Sequence, residues 1–267
     1  MGSLMGLGDN LMATGLARGA ASRGKKIAFG DGRKIIWDRN SAPVFHNNPN
    51  VAKPGSETRK QIEWIDFYIG HRLYNRRVGE RWEWNYDFRA VPGEMFFSRA
   101  EREFAGRIAT GFVLIEPNVP QFKSVAPNKT WPLERYQDAA DRLVRSGHAV
   151  RQFVYKGGHR LDRVKGIEAP NFRHALAALS RAALYLGPEG GLHHGAAAVN
   201  VPGVVLFGGF IPPQVTGYDS HINLTGGAEA CGSFNRCPHC EAAMAAISVD
   251  EVEGACSSVL ARQKLAS

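Results

Sequence analysis

Short apolar runs bounded by glycine, alternating with stretches whose apolar residues recur at helical spacing, organise the second half of the chain. TGFVLIEPN reads as a strand, WPLERYQDAADRLVRSG as a helix, HAVRQFVYKG as a strand and FRHALAALSRA as a helix; RAALYL and GVVLFGG read as two further strands. The strand-like runs carry little polar alternation, as expected of strands buried on both faces of a parallel sheet. Between the last two, HHGAAAVN is small and alanine-rich and predicts a short helix packed close to a sheet. Strand and helix in regular alternation predict a parallel sheet with helices on both faces.

The first half is less regular. GLGDNLMATGLARGAASRGKKIAFGDG opens with a glycine-flanked acid, Asp9, continues as a helix from about Asn10 to Arg23 and ends in a strand, KKIAFGD. A strand preceding that loop would have only Met1 to Met5 to occupy, so it is very short or has been trimmed from the chain. SAPVFHNNPNVAKPG is loop-like, with its prolines and asparagines. SRAEREFAGRI predicts a charged helix, and a boundary near Arg107 to Gly111 divides the chain into residues 1–107 and 108–267.

At 267 residues and 44% hydrophobic, the chain can bury one large or two small α/β cores. No apolar run approaches the roughly 20 residues of a membrane span, and the start MGSLMGLGDN lacks a basic region followed by a long apolar segment, so a cytoplasmic location is expected. The net charge of +8 is uneven. Residues 1–107 hold 18 Lys/Arg against 12 Asp/Glu, and residues 108–267 hold 15 against 13. Such a bias aids solubility and also suits an anionic partner: a phosphorylated glycan, an anionic lipid headgroup or nucleic acid. From Ile62 to Ser98 ten aromatics are interleaved with Arg72, Arg76, Arg77, Arg81 and Arg89. This stretch is either the core and rim of a small domain or an acceptor surface, where rings stack on sugars or bases and guanidinium groups hold phosphates.

The densest chemistry lies in GPEGGLHHGAAAVN, Gly187 to Asn200, where a glycine turn enters a helix. The first amides of a helix are unpaired and its dipole is positive there, so Gly190 and Gly191 would let a phosphate or carboxylate reach the backbone. The same turn is also an ordinary α/β connection, and adjacent histidines often serve only packing.

Four stretches in order, GLGDNLMAT, IEPNVPQFKSVAPNKTWPLERYQDAADRL, LYLGPEGGLHHGAAAVNVPGVVLFGG and CPHCEAAMAAISVDEV, resemble the family 9 glycosyltransferases, which include the ADP-heptose:lipopolysaccharide heptosyltransferases. The resemblance covers the C-terminal half almost continuously and the N-terminal half mainly at its first loop. It implies an α/β, GT-B-type fold of two Rossmann-like domains, with a reduced acceptor-side domain at residues 1–107 and a nucleotide-sugar-binding domain at 108–267. By position it assigns Asp9 as the base that deprotonates the acceptor hydroxyl, with helix capping as the competing role. Lys129 matches the lysine placed near the donor phosphates, with a solvated loop charge as the alternative. Glu189 stands where the family usually has Asp, and Gly190, Gly191 and His194 follow as in its glycine turn. The donor implied is a nucleotide-diphosphate sugar and the acceptor an anionic glycan or glycoprotein, with nucleic acid or a non-catalytic binding role as alternatives. The chain has no Asp-x-Asp pair of the kind that holds a cation in metal-dependent transferases. Inverting transfer with no required cofactor is the resulting expectation.

All four cysteines lie near the C-terminus: Cys231, Cys237, Cys240 and Cys256. A CxxC in a cytoplasmic chain suggests metal or redox chemistry more than a disulfide. Four thiolates would suit a structural Zn or Fe ion, with His239 as a spare ligand; reduced thiols are the alternative. A related autotransporter heptosyltransferase group holds iron with a cysteine cluster. Closing the site with Cys256 requires the final helix to return to the CPHC knuckle.

Overall fold

The structure, a computed structural model, describes residues 5–119 and 125–266. Its N-terminal part runs α1 (Leu7–Ser22), β1 (Lys26–Phe29), α2 (Ser41–Phe45), β2 (Ile62–Ile65), then the strands β3 (Asn75–Val78) and β4 (Arg81–Trp84), and α3 (Arg99–Gly106). The helix and strand expected around Asp9 are both present; Met1 to Leu4, where a preceding strand would begin, lie outside the described residues. β1 and β2 form a two-stranded parallel sheet, and β3 and β4 pair as a separate antiparallel hairpin. The loop-like stretch after β1 contains the one-turn helix α2, whose Ser41 amide is bonded to the Asp38 carboxylate at 2.8 Å.

The C-terminal part continues with β5 (Phe112–Ile115), a 3-10 turn (Ala126–Lys129), α4 (Leu133–Arg145), β6 (Val150–Phe153), β7 (Lys165–Ile167), α5 (Phe172–Leu179) and β8 (Ala182–Pro188). It closes with α6 (Gly191–Ala198), β9 (Gly203–Leu206), α7 (Pro213–Thr216), β10 (His221–Leu224), α8 (Pro238–Ala246) and α9 (Val249–Ala266). Six strands make one sheet in the order β7-β6-β5-β8-β9-β10, every pair parallel. In order of appearance these are strands 3-2-1-4-5-6 of a Rossmann sheet, so the strand order reverses between β5 and β8. Ligands of such sheets bind beyond the carboxyl ends of the strands at that reversal, which here means next to Glu116 and Glu189.

Alternation along the central strands splits the core. Phe112 and Leu114 of β5 face one apolar cluster, with Leu176, Leu179 and Ala196 of α5 and α6; Val113 and Ile115 face the other, with Tyr136, Leu143, Val252 and Val259 of α4 and α9. The first cluster runs on into the N-terminal part through Leu11, Phe29, Phe45 and Phe67, so the apolar core is continuous across the boundary near residues 107–111. A buried ion pair reinforces that junction. The Arg173 guanidinium of α5 bonds Glu101 of α3 through both carboxylate oxygens and donates to the carbonyls of Pro43 and Phe96, each at 2.6 Å. Among the described residues no helix is long and apolar enough to cross a membrane.

Candidate active site

β8 delivers its last residues to the sheet reversal, and the turn after it is built on Gly190. That residue has φ 157° and ψ −159°, a conformation that side chains disfavour, and it lets α6 start directly at Gly191. Glu189 precedes it, almost wholly buried, with its amide bonded to the Leu206 carbonyl at 3.1 Å. The Lys129 ammonium, carried in by the 3-10 turn, bonds the Glu189 carboxylate and lies 3.5 Å from the Glu189 carbonyl oxygen. His194 Nε2 approaches the other carboxylate oxygen at 3.4 Å, and its Nδ1 is 2.8 Å from the Tyr218 hydroxyl. Burial alone would raise the Glu189 carboxyl; Lys129, followed by His194, outweighs it and holds the group well below the usual carboxylate range. The ammonium also sits 5.3 Å from the centre of the Phe210 ring.

The two histidines divide their roles. His194 faces the glycine turn, whereas His193 is enclosed by Phe207, Tyr218 and His221, with neither ring nitrogen bonded to a described group. Burial, with neighbouring His194 and His221, holds His193 well below its ordinary value, so it packs as a neutral ring.

Asp9 enters from the opposite side, in the first turn of α1. It is a capping acid, its Oδ2 accepting from the Gly6 amide at 2.6 Å, while its Oδ1 accepts from the Tyr74 hydroxyl with Arg72 Nε 3.5 Å away. Burial, then the Asp9 carboxylate, push the Tyr74 phenol far up, so it remains a proton donor in this pair. α1 and α6 meet at their N-terminal ends. A Cβ on Gly8 would lie 2.7 Å from His194 Cδ2 and 3.2 Å from Gly191 Cα, a separation that only glycine accommodates.

Sequence reasoning passed over Tyr74, Tyr218 and Glu116. Glu116, at the carboxyl end of β5, is buried and accepts from the Asn118 amide and side chain, both at 2.9 Å. Burial outweighs those bonds and raises its carboxyl to about 7. The aromatic stretch resolves mainly as packing. Arg76 pairs with Glu83, Arg77 lies over Phe234, Arg72 lies over Trp82, and of the ten rings only Tyr86 is prominently exposed.

Three thiols converge: Cys231 Sγ lies 3.8 Å from that of Cys237 and 3.2 Å from that of Cys240, and all three are within 4.8 Å of one another. Cys256 stands apart. It lies on the face of α9 that also carries Val252, Val259 and Leu260, buried against the other side of the sheet, so the four-thiolate set expected from sequence is a three-thiolate set. His239 is turned away to the Glu229 carbonyl, 2.8 Å from its Nε2. The hydrogen bond from the Cys240 amide, the largest influence, lowers the Cys237 thiol from its ordinary value.

The sequence model of glycosyltransferase family 9 (heptosyltransferase) matches residues 75–238, well over half of the chain. The chain belongs to glycosyltransferase family 9. Its fold is similar to that of a family 9 glycosyl transferase from Veillonella parvula DSM 2008, at TM-score 0.64 and 14% identity over 97% of this chain and 95% of that one. It is also similar to the iron-containing dodecameric glycosyltransferase TibC from enterotoxigenic E. coli H10407, at TM-score 0.60 and 14% identity over 98% of this chain and 75% of that one. No curated protein sequence matches at a comparable level. As a family 9 glycosyltransferase, the chain carries its transferase chemistry on an α/β frame whose parallel sheet ends at the Glu189 turn.

Proposed function

We propose that this glycosyltransferase moves a heptose-like sugar from a nucleotide diphosphate to the hydroxyl of an anionic glycan or glycoprotein, in one inverting step that needs no metal. The observation that carries this reading is the contact between the N-terminal ends of α1 and α6, which brings Asp9 and the Lys129–Glu189 pair to the same end of the sheet. Asp9 takes the proton of the acceptor hydroxyl as its oxygen attacks the anomeric carbon; the bond from that carbon to the diphosphate breaks, and the nucleotide diphosphate leaves with the electron pair. Each Asp9 oxygen keeps a lone pair beyond its bonds to Gly6 and Tyr74, and these two groups with Arg72 fix the carboxylate's direction.

Charge grows on the leaving diphosphate in the transition state. The first amides of α6 and the third donor of the Lys129 ammonium, the one not turned to Glu189, are suited to receive it. Glu189 has a longer side chain than the Asp usual at this position, and with both oxygens already engaged it would read a sugar or ribose hydroxyl from closer range. The inward packing of the aromatic stretch supports a glycan acceptor over a nucleic acid, which would need exposed stacking faces.

The three thiols are soft donors at separations that suit a thiophilic ion, whose tetrahedral edge is about 3.8 Å for metal–sulfur bonds near 2.3 Å. Cys231, Cys237 and Cys240 would hold Zn or Fe as a structural ion that pins the start of α8, with its fourth position outside this trio; TibC is itself described as iron-containing. The four free cysteines fit a reducing compartment, the cytoplasm.

Sugar transfer followed by mass spectrometry, with nucleotide-diphosphate sugars and bacterial surface glycans as substrates, tests the reading. Wild-type protein is expected to transfer from one donor, and Asp9→Asn to lose turnover while binding that donor unchanged. Equal turnover by Asp9→Asn removes the base from the account.

A further inference from the structure

The loop that carries the three thiols is fastened to the donor site through Asn128. This residue is fully buried, and its amide side chain is spent on that loop: Nδ2 donates to the carbonyls of Ser233 and Asn235 at 3.1 and 2.8 Å, and Oδ1 accepts from the Cys237 amide at 2.9 Å. Its neighbour in the 3-10 turn is Lys129. A turn held by three side-chain bonds cannot move independently of what holds it, so the loop's position is transmitted to the ammonium one residue on.

The other side of the loop is equally tied. The amides of Cys231 and Gly232 donate to the carbonyls of Gly209 and Phe210 at 2.9 and 3.1 Å, and it is the Phe210 ring that lies beneath Lys129. Toward the hairpin, the Trp82 amide donates to the Gly232 carbonyl at 2.8 Å and the Phe234 amide to the Glu80 carbonyl at 3.0 Å. Gly232, at φ 66°, permits this close approach of the two backbones, because a Cβ there would sit 2.3 Å from the Trp82 carbonyl oxygen. Trp82 in turn lies under Arg72, the partner of Asp9. The thiol loop therefore touches the supports of both the donor lysine and the acceptor-side base.

Resting on the donor-site reading of Lys129, we infer that Asn128 is a positioning residue that couples the thiol loop to the donor site, so that nucleotide-diphosphate binding and the accessibility of Cys231, Cys237 and Cys240 are linked. Coupling of this kind is reciprocal: whatever factor the loop's state imposes on nucleotide affinity, bound nucleotide imposes on the loop. An ion captured by the three thiols acts through the same connection, drawing the loop into one geometry and Lys129 with it.

The test uses the reduced full chain and a panel of ADP, GDP, UDP, CDP and dTDP, with two readings: the calorimetric Kd, and the rate at which iodoacetamide alkylates the three cysteines, resolved by peptide mass spectrometry. Wild-type protein is expected to bind one nucleotide and to alkylate several-fold more slowly at Cys237 when it is bound. Asn128→Ala is expected to bind that nucleotide about 10-fold more weakly, the scale typical of lost supporting bonds around a site, and to alkylate at one rate with or without saturating nucleotide. Should Asn128→Ala not fold, the wild-type alkylation ratio still decides, since uncoupled sites give a ratio of one. A wild-type protein that binds a nucleotide but shows that ratio of one, or a folded Asn128→Ala with wild-type Kd and wild-type protection, overturns the coupling and leaves the donor site standing. A wild-type protein that binds none of the five overturns the donor-site reading and the coupling with it.

Discussion

Gly8 lies against the imidazole of His194, so close that an added Cβ would come within 2.7 Å of Cδ2. The residue after Gly8 is Asp9, and His194 holds the carboxylate of Glu189. The missing side chain at position 8 thus sets the distance between the proposed base and the proposed donor turn. Gly8→Ala must displace the His194 ring or the two helix ends by about 0.7 Å to bring that 2.7 Å approach to an ordinary contact of 3.4 Å, at about 1–3 kcal/mol of overpacking. Transfer is expected to fall further than stability does, since a displaced base loses rate steeply. Turnover measured beside urea unfolding checks this, and an alanine variant with wild-type turnover contradicts it.

Lys129 and Glu189 form a buried pair whose members depend on each other. Lys129→Ala strands a carboxylate in the interior with only His194 beside it, and is expected to cost about 3–5 kcal/mol. Lys129→Ala combined with Glu189→Gln removes the stranded charge and should recover much of that loss while leaving donor binding at least tenfold weaker than wild type. Urea unfolding of the single and double variants separates the two effects; equal destabilisation by both argues against a charge penalty.

How much of this was legible in the sequence depends on what each residue's neighbours encode. The central strands were, because runs such as FVLI and GVVL can only be buried, whereas β7 and β10 escaped: one is three residues long, and the other, HINL, mixes polar and apolar positions as edge strands do. Asp9, Lys129 and Glu189 stood out through motif order. Tyr74 did not, since its role depends on a chain reversal that brings residue 74 back to residue 9, and nothing local to either encodes that contact. Cys256 misled for the opposite reason: proximity along the chain to the CPHC knuckle suggested a partnership that the helical phase of α9 prevents.

Glu116 gives a pH dependence with a definite sign. Its carboxyl is raised by burial from 4.5 to about 7, so between those values the folded protein keeps a proton that the unfolded chain has released, and stability falls as pH rises through that window. His221, pushed down by burial to about 4, works oppositely between about 4 and 6.5, so the two must be separated by mutation. Glu116→Gln, which retains an acceptor for the Asn118 amide, should match wild type at pH 5 and exceed it at pH 8 by on the order of 2–3 kcal/mol. Equal stability at both pH values means that the carboxyl does not ionise at a cost.

Arg173 makes a different prediction, because its fork serves Glu101 and two carbonyls at once. Arg173→Met should destabilise by about 3–5 kcal/mol, leaving Glu101 buried and unpaired. Arg173→Lys should recover little, since a point charge with three donors cannot reproduce the planar bidentate contact. Unfolding midpoints of the two variants decide, and full rescue by lysine would show that charge alone is required.

The central claim is that Lys129 holds the leaving diphosphate while Asp9 acts only on the acceptor. Calorimetric titration of wild type, Asp9→Asn and Lys129→Ala with a panel of ADP-, GDP-, UDP-, CDP- and dTDP-sugars tests it most directly. One donor is expected to bind wild type and Asp9→Asn with the same affinity and Lys129→Ala at least tenfold more weakly. Binding that survives Lys129→Ala, or no binding of any donor to the wild-type chain, contradicts it.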